Sequence, residues 1–241
     1  MGWASELVLI IAAFLSSALT GIIGMGGGVL LLSVMAIFLP PAAIVPVHGV
    51  VLTVSNATRG LFGYRHIDWR ISGQYLCGAI VGAAIGSQFV TRVPPGLIPL
   101  FLGIFILMVT WMPFWKAEAR VPLKFFWLGA AKTLLSLFVG AIGGFLSSFL
   151  LREGLGRDRF VVTGAALATT SHVLKVIVFG LLGFAFGPYL PLLAGMIVSV
   201  TLGSYVGTHL RGKVPEKPFR HVLKILLTGL ALRMIIKVAL G

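Results

Sequence analysis

The sequence predicts an all-α polytopic membrane protein made of two inverted-topology repeats, each a glycine-tipped helical hairpin followed by three transmembrane helices. Three observations lead there. Of the 241 residues, 58% are hydrophobic and only 10% are charged. Apolar stretches of spanning length recur along the whole chain. Residue patterns in the second half return at a nearly constant distance from those in the first.

Composition narrows the class first. A water-soluble domain of this size needs far more charge to coat its surface, so the chain belongs in lipid. The formal net charge of +13 would suit nucleic acid, but lysine and arginine also collect in the cytoplasmic loops of membrane proteins. The lipid bilayer is therefore the expected partner, and nucleic acid is not. The single cysteine, Cys77, excludes an internal disulfide and a cysteine-built zinc site. Its Gly/Ala-rich surroundings suggest a packing role. No cleavable leader is expected, because no basic residues precede the first apolar stretch and Glu6 stands there instead.

A helical span needs about 20 apolar residues. Six such spans are read at 42–63, 73–92, 96–114, 160–183, 188–210 and 220–240, separated by proline, glycine and charge clusters. Residues 6–39 and 122–151 fit neither one crossing nor two. Each is interrupted midway by glycine: Gly21, Gly24, Gly26, Gly27 and Gly28 in the first, Gly140, Gly143 and Gly144 in the second. Glycine clusters loosen a helix and permit a turn.

Charge decides the folding of these two stretches. The loops 64–72, 115–124, 151–159 and 211–220 carry twelve basic residues, whereas the alternate connections and chain ends hold only Arg92 and Lys237. The four basic loops are thus predicted to be cytoplasmic. Residues 122–151 must then enter and return on the same side, and so must 6–39. Each is predicted to be a hairpin turning at its glycines, a geometry tolerated at membrane depth only where it is buried in protein or lines a cavity. Both termini are predicted outside, in the periplasm of a bacterial inner membrane.

The halves 1–119 and 120–241 match in detail. Gly21-Ile22-Ile23-Gly24 pairs with Gly140-Ala141-Ile142-Gly143, and Ser55-Asn56-Ala57-Thr58-Arg59 pairs with Ser171-His172-Val173-Leu174-Lys175. Gly86-Ser87 with Thr91 pairs with Gly203-Ser204 with Thr208, and the offset stays between 116 and 119. A hairpin plus three spans puts the second copy upside down relative to the first. Inverted repeats of this kind suit secondary transporters, with substrate near the midplane where the repeats meet.

The glycine run Gly21 to Gly28 opening an apolar stretch, the Pro/Ala-rich turn after it, the Asn56-containing span and the weaker second copy resemble the TauE/SafE sulfite exporter family, also called the toluene-sulfonate uptake permease family. The likeness covers essentially the full chain. It implies transport of sulfur-containing anions such as sulfite, sulfoacetate, sulfonates or thiosulfate. The second copy departs from the pattern, with Gly144-Phe145-Leu146-Ser147 in place of Met25-Gly26-Gly27-Gly28.

The residues themselves point to an anion. The return arm of each hairpin begins at Gly26–Gly28 and at Gly144–Ser147, where unpaired N–H groups and a partial positive charge would face the membrane interior. Ser147 and Ser148 would add hydroxyl donors. Asn56 with Arg59, and His172 with Lys175, are i, i+3 pairs sharing a helix face. Basic residues within a span cost roughly 2.5–3.5 kcal/mol on insertion scales, a cost that a cavity, a partner or an anion would offset, although Arg59 lies close enough to the inner loop to reach the headgroups instead. Ser171 completes the primary set; Ser55, Arg59 and Thr170 are secondary candidates. Lys132, Arg233 and His48 are given no site or only a weak one.

The expected substrate is thus a small anion, probed by a carrier of the secondary type; an anion channel and a permease for a small carboxylate are the alternatives. No enzyme, metal site or cofactor is expected, because the spans carry no nucleophile–base pair, no metal-ligand cluster, no carboxylate dyad and no Walker-type phosphate loop.

Overall fold

The computed structural model describes residues 2–23, 26–111, 122–139, 143–150, 153–210 and 216–239. The described residues are helical, with short 3₁₀ turns and no strand. The order is α1 (Trp3–Ile23), α2 (Gly27–Phe38), α3 (Pro41–Phe62), α4 (Trp69–Val90) and α5 (Ile98–Trp111), followed by α6 (Lys124–Val139), α7 (Gly143–Leu150), α8 (Arg157–Leu181), α9 (Leu190–His209) and α10 (Glu216–Ala239). Among the described residues four helices are long and apolar enough to cross a membrane: α1, α3, α8 and a segment containing α9. The protein is a multi-pass membrane protein.

The first glycine-rich stretch breaks the helix. There α1 ends at Ile23 and α2 starts at Gly27, with Gly26 between them at φ +95°. That backbone conformation is open to glycine and costly for any residue with a Cβ. Gly27 is needed for a second reason: a methyl there would collide with the Ser16 carbonyl and the Thr20 hydroxyl of α1. The return arm α2 has 12 residues, so it runs only about 18 Å, well short of a hydrocarbon core of about 30 Å. In the second stretch α6 has 16 residues and α7 has 8. Residues 140–142, where its turn is expected, lie outside the described residues.

Helix pairing joins the two halves of the chain. The most extensive contacts are α4 with α6, α1 with α9, α3 with α8 and α5 with α10. Small residues make the first two possible. A methyl on Gly78 or Gly82 of α4 would strike the carbonyl of Phe126 or Ala130 in α6. A methyl on Gly203 or Gly207 of α9 would strike the carbonyl of Phe14 or Ala18 in α1. Glycines four residues apart let helix backbones touch, which is how helices associate where no hydrophobic force drives them together.

The main apolar core, with Leu31, Leu32, Met35, Ile44, Val51, Leu102, Ile106, Met196 and Val200, lies between α2, α3, α5 and α9. Large apolar side chains also point outward, including Ile11, Leu15, Leu76, Ile80, Ile104 and Val198, as a lipid-facing surface requires. Cys77 is exposed on that outer face, so the packing role expected for it is not found: it lies on the lipid side of α4, opposite the glycines that meet α6.

Three of the basic loops gather at one end of the molecule. Lys124, at the start of α6, pairs with Glu153, and Arg159 of α8 pairs with Asp68 at 3.1 Å. Asp68 also caps α4, accepting from the Ile71 N–H at 3.1 Å, and its own N–H donates to the Thr163 hydroxyl at 3.0 Å.

Candidate buried cation site

The crossing of α3 and α8 carries the matched motifs of the two halves, and each motif is the hub of a buried polar cluster. On α3 the hub is Ser55. Its hydroxyl lies 2.8 Å from that of Ser17 on α1, and Ser17 lies 2.7 Å from Ser204 on α9. Arg59, one turn on, donates to Ser55 at 3.2 Å and to Ser204 at 3.3 Å. Its other terminal nitrogen donates to the Asn56 side-chain oxygen at 2.7 Å. Asn56 spends its own N–H on the Leu52 carbonyl at 2.7 Å. Arg59 is only 5% exposed. It therefore does not extend to the headgroups, because α3 and α9 supply its donors with acceptors inside the protein.

On α8 the hub is Ser171. Its hydroxyl lies 2.6 Å from the Tyr75 hydroxyl of α4 and 2.9 Å from the Thr133 hydroxyl of α6. Lys132 of α6 donates to the same oxygen at 3.2 Å, and its ammonium sits 5.7 Å from the Tyr75 ring centroid. One turn along α8, Nζ of Lys175 lies 3.3 Å from Nδ1 of His172. Both Lys132 and Lys175 are essentially inaccessible, at 2% and 0%.

His48 of α3 joins this second cluster. Its ring meets His172 edge to face, with centroids 6.2 Å apart. Its Nε2 donates to the Gly28 carbonyl at 2.8 Å, so the first hairpin reaches the cluster through its backbone. The Lys175 stem passes beside Gly49, the next residue of α3.

Electrostatically the arrangement is one-sided. Arg59, Lys132 and Lys175 are buried, and among the groups they meet are hydroxyls, an amide and an imidazole. Helices α3, α4, α6 and α9 contain no Asp or Glu; α1 and α8 each carry one in the first turn, Glu6 and Asp158. Among the described residues no three or more His, Cys, Asp or Glu side chains gather as a metal site would need. What converges is a set of cations and neutral donors, a constellation suited to holding negative charge.

The residues expected from sequence divide accordingly. Ser55, Asn56 and Arg59 are buried together in the first cluster, and Ser171, His172 and Lys175 in the second. Gly26 forms the turn, Gly27 packs against α1, and Gly28 offers its carbonyl to His48. Gly144 and Ser148 lie in α7, and Ser147, also in α7, is buried. Thr170 bonds the Ala166 carbonyl of its own helix at 3.1 Å. Sequence reasoning missed Ser17, Ser204, Tyr75, Thr133 and Lys132 and underrated His48. A lysine in an apolar run with no acid nearby was the available signal for Lys132.

No curated relative and no solved structure matches the chain. The family model described as Sulfite exporter TauE/SafE matches residues 9–234, which is nearly the whole sequence. On that match the chain belongs to the TauE/SafE sulfite exporter family.

Proposed function

We propose that this protein is a secondary carrier for a small anion, a sulfur oxyanion or organosulfonate such as sulfite, sulfoacetate or thiosulfate. The observation that carries this reading is the buried group Arg59, Lys132 and Lys175 at and beside the α3–α8 crossing, set among neutral donors on helices nearly free of acids. Cations held in a low-dielectric interior favour an anion strongly. A role in transport rather than catalysis fits the family.

The carrier works as two inverted repeats, 1–119 and 120–241, with the substrate where they cross. Exchanging the halves supports this. The α1–α9 pairing becomes α6–α4, while α3–α8 and α5–α10 map onto themselves, and these are the strongest pairings in the molecule. The hub serines exchange in the same way: Ser55 draws on α1 and α9, and Ser171 draws on α6 and α4. Both termini face the periplasm of a bacterial inner membrane, and the basic loops tied together by Lys124–Glu153 and Arg159–Asp68 face the cytoplasm.

The test is flux in proteoliposomes with sulfite, thiosulfate, sulfoacetate, taurine and carboxylate analogues. Saturable uptake that shows counterflow with sulfur anions is expected. Uptake confined to carboxylates would overturn the substrate class, and non-saturable conductance without counterflow would make the protein a channel.

A further inference from the structure

Among the described residues, two buried side-chain polar atoms have no hydrogen-bond partner: Oγ of Ser72, in the first turn of α4, and Nδ1 of His48. The second lies in the cation cluster. The Gly28 carbonyl can only accept, so the proton on the His48 ring that meets it must sit on Nε2. In the neutral ring Nδ1 is then a bare lone pair. The ring that carries it is buried and edge to face with His172, and the Lys175 stem passes beside the adjoining Gly49. A buried acceptor with nothing to accept is unfavourable, and a ligand that supplies a donor relieves it.

The surroundings restrict what that donor can be. Lys175 lies in the same cluster, with Lys132 and Arg59 on the neighbouring hubs. An ammonium donor would meet like charge; an uncharged hydroxyl would not. The same cations call for negative charge elsewhere on the ligand. A molecule that meets both demands is a small anion carrying its own O–H.

We infer that His48 is a specificity-determining residue whose Nδ1 accepts a hydrogen bond from a hydroxyl on the transported anion. Resting on the anion-carrier reading above, this narrows the substrate to hydroxyl-bearing sulfur monoanions, of which hydrogensulfite and hydroxyalkanesulfonates are the simplest. Sulfonates without a donor fit less well, because they leave Nδ1 unmet. Aminosulfonates fit less well because their ammonium faces Lys175.

The test is calorimetric binding to the full chain in lipid nanodiscs. The probes are 2-hydroxyethanesulfonate and propane-1-sulfonate, which differ by one hydroxyl in place of one methyl, together with taurine and sulfite. The hydroxylated probe is expected to bind roughly ten- to a hundredfold more tightly than propane-1-sulfonate, since a site built around a hydrogen bond discriminates strongly against its loss. Taurine is expected to be weaker than 2-hydroxyethanesulfonate. His48→Gln keeps an N–H that can reach the Gly28 carbonyl but displaces the acceptor, so the preference should fall to about onefold. Equal binding of the two wild-type probes overturns the role of His48 and leaves the anion site standing. A preference that survives in His48→Gln places the acceptor elsewhere and also overturns it. Taurine binding as tightly as 2-hydroxyethanesulfonate contradicts the hydroxyl. If none of the four probes binds, the sulfur-anion reading itself fails, and this inference fails with it.

Discussion

The two polar clusters descend from matching motifs yet differ in how they are completed. Around Ser55 the cation is a guanidinium, and Ser55, Ser204 and the Asn56 oxygen accept from it while Ser17 ties two of those hydroxyls together. Around Ser171 there are two ammoniums, a tyrosine and a threonine, with a pair of histidines beside them and one buried nitrogen left over. A planar guanidinium matched by fixed acceptors makes a rigid joint. Compact, mobile ammoniums can change partners. The first cluster therefore holds helices α1, α3 and α9 in register, and the second is the one we propose exchanges a substrate.

That contrast can be broken by substitution, beginning with the frame common to both. Gly78→Leu drives a side chain into the Phe126 carbonyl and separates α4 from α6. It should cost at least about 3 kcal/mol and remove Tyr75 from Ser171, read as loss of the folded protein after mild heating in detergent. Lys132→Met should leave folding largely intact but lower sulfur-anion flux by roughly a hundredfold, the scale of about 3 kcal/mol for a lost charged contact. Equal flux would move the exchange site away from Ser171. Arg59→Lys tests the opposite half: losing the fork should reduce thermal stability by about 1–2 kcal/mol, with a smaller effect on apparent substrate affinity than Lys132→Met. A larger effect on affinity would reverse the assignment of the two clusters. The smallest effect is expected from Thr170→Ala, whose hydroxyl serves its own helix: less than about 0.5 kcal/mol in stability, with flux unchanged.

Much of the frame could be read from the sequence because membrane rules act locally. Apolar length and flanking charge put helices at 42–63, 160–183 and 188–210, against Pro41–Phe62, Arg157–Leu181 and Leu190–His209 in the structure. The span expected at 73–92 begins earlier, at Trp69, because Asp68 caps it. A glycine run located the break near Gly26, since a cluster of glycines is a local signal. The matched motifs singled out Ser55, Asn56, Arg59, Ser171, His172 and Lys175, all of them buried in the structure. The rest was not local. Nothing in the sequence around Ser17, Tyr75 or Thr133 says that α1 will lie on α9 or α4 on α6; that follows from glycines whose partners are distant in the chain, Phe126 for Gly78 and Phe14 for Gly203. His48 looked isolated because its partners come from the hairpin tip and from α8.

The central claim is that buried positive charge at the α3–α8 crossing holds the anion. It is tested most directly by measuring sulfur-anion binding to wild type and Lys175→Met, reconstituted in the same lipid and shown to be equally folded. Lys175→Met should bind roughly a hundredfold more weakly. Wild-type affinity in that variant would contradict the account.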